Sequence, residues 1–318
     1  MTTTVPTRAV APHGASSAPR ARRGLSASRR RQIGAAYALV LPFLVLFVAM
    51  VVVPLVYAGY LSFYKKKLIG GTSFVGAENY LRALTDPSFL SGVGRMGLFL
   101  CVQVPLMLVL SLFTALALDS GMMKLAKVAR LGIFVPYAVP SVIATLMWGY
   151  IYGPDFGPIA QMARGLGLGV PPFFSGTGIF FSIINIVNWE FVGYNMIIMY
   201  AALRSIPTEL YEAARVDGAS ETRIALSIKI PLIRPAILLT VIFSVIGTFQ
   251  LFNEPNLMRT LAPTVIGSDW TPNLYAYNIA FVNQDANYAA ALAFLLGIVI
   301  MIISYAVQLG AQRKERRA

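Results

Sequence analysis

The chain has 318 residues, of which 57% are hydrophobic and 12% charged, and its formal net charge is +13. Soluble domains carry about 25% charged residues, and a water-soluble core of this size needs far less apolar sequence, so the composition points to an integral membrane protein. One cysteine, Cys101, excludes a disulfide framework and a zinc set; one histidine, His13, sits in the basic tail, so the body holds no histidine base or metal ligand.

Residues 1–32 are rich in Ala, Pro, Ser and Arg and read as a disordered cytoplasmic tail. The apolar run from Ile33 to Tyr60 is roughly twice the length of a signal peptide's apolar region, so it reads as a retained helix. Six stretches are long enough to cross a bilayer: 33–62, 96–118, 131–152, 177–203, 233–252 and 288–310. The fifth is crowded at its end by Gln250, Asn253 and Glu254. The expected fold is therefore an all-α membrane protein with six transmembrane helices spread over 33–312, ending in a basic segment, 313–318.

Six spans put both termini on one side, and the basic residues choose which. With the termini in the cytoplasm, 19 of the 26 Lys and Arg fall on the inner side. Lys65, Lys66 and Lys67 are the exception, just outside the first span. The same placement explains the net charge as membrane anchoring, so no nucleic-acid partner is expected.

The loop 204–232 then lies in the cytoplasm. From Tyr211 to Pro235 it carries seven charged residues. Pro207 and Glu209 suit the start of a short helix. Asp217-Gly218 suits a stop, with Gly218 free to turn left-handed. A second helix is expected from Ser220 to Ile230, bounded by Pro231 and Pro235. Read from its residues alone, the segment suits either a docking knob or a plain solvated connector.

Its spacing is more specific. Glu212-Ala213-Ala214 is followed after three residues by Gly218, and after nine more by Ile228, then Ile230-Pro231. This resembles the EAA motif of permease subunits in binding-protein-dependent ABC importers, with Ile230 where the family pattern has Leu. "RSIPTELYEAARVDGAS" is similar to the matching segment of sugar permeases. "LPFLVLFVAMVVVPLVYAGYLSF", "FVGAENYLRALTDPSF" and "FVPYAVPSVIATLMWGYIYGPDFG" look like other parts of the subunit type related to the maltose transporter's larger permease. Gly94-Arg95 departs from the Asn-Thr often found there.

The resemblance implies the type I ABC importer permease fold in a bacterial cytoplasmic membrane. It implies a second, different permease as heterodimer partner, two cytoplasmic ATPases that bind ATP and Mg, and an extracytoplasmic solute-binding protein. It makes the loop a coupling helix seated in an ATPase groove. Glu212 can bond a basic group there, Ala213 and Ala214 permit close approach, and Asp217, Gly218, Ile228 and Pro231 shape the loop. No G-x-x-x-x-G-K-[ST] occurs, so this chain is expected to bind no cofactor and catalyse nothing itself.

Polar residues inside spans tend to face a cavity or a partner. The fourth span offers Asn188, Trp189, Glu190, Gly193, Tyr194 and Asn195; the fifth offers Thr248, Gln250 and Asn253. By region these match the solute path of maltose-type permeases. Amides and aromatic faces suit a sugar, and beyond Arg234 at the start of the fifth the two spans hold no basic residue to favour a phosphate. The alternatives are the same machinery carrying glycerol-phosphate or another polyol, and an ion-coupled secondary transporter, which tends to show internal repeats that this chain lacks.

Overall fold

The computed structural model describes residues 27–67, 71–121 and 125–315. Most of the expected tail, residues 1–26, and the last three residues of the expected basic end lie outside the described residues. The chain divides into two units, Met1–Val56 and Tyr57–Ala318. In the first, α1 (Ala27–Phe47) passes through a π-helical turn, Val48–Val52, into the start of α2 (Val53–Ser62). α1 begins at Ala27, ahead of the expected start at 33. Pro54 accounts for the wide turn: its ring crowds the preceding turn of a helix, and the Val53 N–H bonds the Val48 carbonyl instead.

The second unit begins within α2, at Tyr57, and continues into a hairpin, β1 (Tyr64–Lys67) and β2 (Gly71–Phe74), antiparallel with Tyr64 opposite Phe74. The all-α expectation needs this amendment. Lys65, Lys66 and Lys67 form β1, and Lys65 pairs with Glu78 at 2.8 Å. After α3 (Glu78–Thr85) comes α4 (Pro87–Asp119), whose start is fixed by Asp86 accepting from the Ser88 and Phe89 amides.

The expected third span is two helices, α5 (Ala126–Ala138) and α6 (Ser141–Ile151), bent by 98°. Pro140 is the reason: it forces Val139 into an extended conformation, φ −78° and ψ 128°. Then follow α7 (Pro158–Gly165), α8 (Gly176–Arg204) and α9 (Glu209–Val216). The expected second loop helix is α10 (Glu221–Ile224), a π turn (Ala225–Lys229) and α11 (Ile230–Leu232). It does not stop before Pro231. The π turn widens the helix ahead of the proline, and the chain runs on to Leu232. A bend of 66° leads into α12 (Arg234–Phe249). α13 (Asn253–Leu261), α14 (Pro272–Tyr277) and α15 (Ala286–Glu315) complete the chain.

By length and composition, Gly34–Ser62, Pro87–Asp119 and Ala286–Arg313 can each cross a membrane, and the two bent pairs bring the number to five. The expected fourth span coincides with α8, 29 residues long. Buried Asn188, Glu190 and Asn195 set it apart from those apolar helices. α8 is the centre of the second unit, packed on both α4 and α5. At Gly193 a Cβ would stand 2.0 Å from the Ile133 carbonyl oxygen, so α5 and α8 touch backbone to backbone. A large apolar cluster (Phe99, Ile183, Phe249, Met258, Leu274, Tyr288) fills one end, and a smaller one (Ala115, Leu118, Met199, Leu203, Ile233) fills the end nearer α9.

At the end away from α9, Asp86 ties three helices. Its carboxylate accepts from Tyr275 Oη of α14 and Tyr288 Oη of α15, each at 2.7 Å. Burial alone would raise the Asp86 carboxyl, but the two hydroxyls and the Phe89 and Ser88 amides outweigh it and hold it below the usual aspartate range. Burial and the Asp86 contact push the Tyr275 hydroxyl up to about 12. Arg95 accounts for the Gly94-Arg95 departure: Nη1 donates to the Trp270 carbonyl at 2.7 Å and the Asp269 carbonyl at 3.3 Å, pinning the turn before α14.

Two outcomes follow. Gly193→Val should lower the thermal unfolding midpoint of the purified chain, with a cost of about 1–3 kcal/mol for overpacking; an unchanged midpoint would show that α5 and α8 can part freely. Because the Asp86 pKa is lowered on folding, its stabilisation is complete above the usual aspartate value, about 3.9, and is lost as pH falls through the folded value. Asp86→Asn should therefore lower the midpoint at pH 7 and narrow its gap to the parent in acid. An equal gap at both pH values would contradict this account.

Candidate functional site

Two features of the second unit carry the chemistry the sequence singles out. The first is the loop 204–232. In α9, Glu209 and Glu212 occupy the first turn and Arg215 the last, as the helix dipole favours. The helix ends at Asp217; Gly218 has φ +80°, and the Ala219 and Gly218 amides bond the carbonyls of Ala214 and Arg215. Ser220 then starts α10, its hydroxyl accepting from the Arg223 amide at 3.3 Å. Across the turn, Arg215 Nε donates to Glu221 Oε1 at 2.6 Å, and this contact holds the Glu221 carboxyl below its usual range.

The loop has two faces. Tyr211, Ile224 and Lys229 are buried against the helices; Ala214 and Ile228 are half-buried, as is Pro231. Glu212, Ala213, Asp217 and Gly218 are exposed, and so is Val216, at 88%. A carboxylate, a small residue and a bare valine thus share one free surface, which suits docking of a partner with a basic group beside an apolar groove.

The second feature is a cavity of about 340 Å³. Its walls come from α4 (Phe99, Gln103, Met107), α8 (Val187, Phe191, Tyr194, Asn195), α12 (Phe243, Ser244, Gly247, Thr248), Ser141 of α6 and residues 250–254. Of the sequence candidates, Tyr194, Asn195, Thr248, Gln250 and Asn253 line it. Asn253 Nδ2 donates to Ser141 Oγ at 2.9 Å. Tyr194 stacks on Tyr137, centroids 4.7 Å apart.

The other four candidates stand behind the wall. Asn188 accepts from Gln103 Nε2 at 3.1 Å, between α8 and α4. Trp189 meets Trp148 edge to face at 5.9 Å. Gly193 is the α5 contact described above. Glu190 is buried, and its Oε1 has no partner among the described residues, like Asn188 Nδ2 and Asn195 Oδ1. Orphaned groups of this kind cost about 1–3 kcal/mol each until a ligand, water or partner satisfies them. Glu254 is the charged residue of the lining; no Lys or Arg contributes to it.

The α4 wall and Phe243, Ser244 and Gly247 escaped the sequence reading. Among them Gln103 alone carried a signal, a lone amide within an apolar span; the others are ordinary span residues.

Residues 88–317 match the family model described as binding-protein-dependent transport system inner membrane component. The chain belongs to that family. The lactose transport system permease protein LacF of Rhizobium radiobacter is 30% identical over 247 residues, covering 76% of this chain and 82% of LacF. The arabinooligosaccharides transport system permease protein AraP of Bacillus subtilis is 29% identical over 279 residues, 85% of this chain and 86% of AraP. The diacetylchitobiose uptake system permease protein DasB of Streptomyces coelicolor is 30% identical over 302 residues, 92% and 91% of the two chains. A chain of a bacterial alginate ABC transporter, solved with an alginate pentasaccharide-bound periplasmic protein, has TM-score 0.77 at 19% identity, covering 89% of this chain and 96% of its own.

The permease therefore has the type I importer fold and is the membrane component of an ABC importer. It is non-catalytic, and ATP is hydrolysed by a partner ATPase. A solute-binding protein is the other partner that the family implies.

Gln103→Leu should strip Asn188 of its hydrogen bond and cost about 1–3 kcal/mol of stability, while Gln103→Leu with Asn188→Leu should recover most of it. Thermal unfolding of the single and double variants checks this; a double variant weaker than either single would break the account.

Proposed function

We propose that this permease forms the pathway for a neutral sugar or oligosaccharide, paired with a second, different permease, and is driven through Glu212 and its neighbours by two ATPases that hold ATP and Mg. Six spans, with α8 as the fourth, and cytoplasmic termini fit the basic-residue bias, in a bacterial cytoplasmic membrane. The observation that carries the reading is the loop. Its exposed Glu212–Gly218 surface stands on a buried footing just past the end of α8, whose last residue, Arg204, is about 14 Å along the helix from the cavity residue Asn195. That arrangement offers a partner a handle at one end of a helix whose middle lines the solute path.

The sugar rests on two supports. LacF, AraP and DasB are named for sugars. The cavity lining is largely aromatic and aliphatic, and its polar groups are amides, hydroxyls and one carboxylate, with no basic residue. Glycerol-phosphate would need a positive group that this lining does not supply. ATP-driven closure of the ATPases would press the two loops together and turn the pathway outward, and hydrolysis would reset it.

Gentle purification of the tagged permease should bring along a P-loop ATPase and a second permease. Glu212→Lys should insert normally and yet retain at least ~10-fold less ATPase, because it reverses a charge at the interface. Gly218→Leu should do similar harm, since leucine resists a φ of +80°. Full ATPase retention and normal ATP-driven uptake by both variants would remove the loop from the coupling role. A permease that returns alone and responds to an ion gradient would favour secondary transport.

A further inference from the structure

Lys229 ends the π turn of the loop. Its ammonium lies 2.5 Å from Asp119 Oδ2, at the last residue of α4, and the two side chains are 6% and 5% exposed. The same ammonium stands 4.7 Å from the centre of the Tyr211 ring on α9. Tyr211 is itself buried. One buried cation therefore gathers the docking helix, the returning limb of the loop and the end of α4.

The loop's covalent joints are soft by comparison. Ser205–Thr208 separates α8 from α9 without regular helix, and a bend of 66° at Ile233 separates the loop from α12. A push on α9 carried by these joints alone would be absorbed as bending. The ion pair bypasses both. Apolar surfaces in contact can slide at little cost, whereas a buried ion pair drawn apart leaves two charges without water. Lys229 and Asp119 must move together.

From Asp119 the path is one continuous helix, which runs through Pro105. α4 runs about 24 Å from Asp119 to the cavity residue Gln103. Along it Ser111 Oγ donates to the Val192 carbonyl at 3.0 Å and Gln103 to Asn188 at 3.1 Å, fastening α4 to α8.

We propose that Lys229 and Asp119 are positioning residues, a strut that passes displacement of the coupling loop to α4 and so to the cavity wall. This rests on the coupling role proposed for the loop. It gives a function to a lysine that the sequence pattern treats as one more inner-side charge.

The test uses the assembled transporter with its ATPases and partner permease. Cys101→Ser with Ser244→Cys places one thiol of this chain in the cavity lining, and N-ethylmaleimide reports its accessibility. In the parent, ATP trapped with vanadate should change the labelling rate about five-fold or more. D119L/K229M removes both charges while keeping bulk. It should assemble, unfold no earlier than the parent and hydrolyse ATP, because apolar replacement of a buried pair is tolerated, but its labelling should no longer respond to trapped ATP. The exchange D119K/K229D should restore the response.

A D119L/K229M complex that responds like the parent overturns the strut. If that variant does not assemble, the exchange decides: an assembled exchange complex with the parent's response supports the strut, and one without it, or one that does not assemble, overturns it. Glu212→Lys separates the two levels. If it too responds like the parent, the coupling role of the loop fails; if it is silent while D119L/K229M responds, only the strut fails.

Discussion

The contact between α4 and α8 is the constraint on which the rest of this structure depends. Both helices bury polar side chains, and buried polar atoms need partners. Their polar atoms therefore bond each other: Ser111 to the Val192 carbonyl, Gln103 to Asn188, Asn195 to Met107 Sδ at 3.3 Å. Such bonds fix the axial register of two helices in a way that leucine on leucine does not. The register places Gln103 and Met107 opposite Tyr194 and Asn195, which makes the cavity. At the far end it places Asp119 level with the returning limb of the loop.

Prolines decide where the remaining helices turn, and they act through the backbone donor they lack. Pro140 breaks α5 from α6 by extending Val139, and the break turns α6 back toward α13. Pro54 and Pro231 have a milder effect. Each follows a π turn that opens the helix before the ring, so the helix continues through the proline. Lys229 ends the π turn ahead of Pro231 and lies buried against Asp119.

How much of this could be read from the chain follows the same physics. The loop was legible because its signals are local. Gly218 is the residue that adopts φ +80° without strain, and glutamates open α9 while arginine closes it. The apolar stretches were legible as length. The bends were not, because a hydropathy run ignores whether a proline kinks a helix or is absorbed by a π turn. Half the cavity stayed hidden for a related reason. Phe99, Met107 and Phe243 are the residues any span would carry, and only the packing of three helices turns them toward one space. Conversely, Asn188 and Glu190 are conspicuous in sequence yet stand behind the wall, since a polar residue in a span can serve a neighbouring helix as readily as a solute.

The loop's stability and its exposure are two sides of one arrangement. A helix of eight residues such as α9 is too short to hold its shape alone in water. It holds here because Tyr211, Ile224 and Lys229 are packed beneath it. That footing leaves the outer face unconstrained by folding. Glu212 and Val216 contribute little to the permease itself, so their exposure is a choice of surface rather than a residue of packing. Burying an ion pair beneath the loop instead of another leucine is the costlier design for stability alone. Its return is directional: the ion pair holds the loop in one orientation against the end of α4, with Glu212 and Val216 on the outer face.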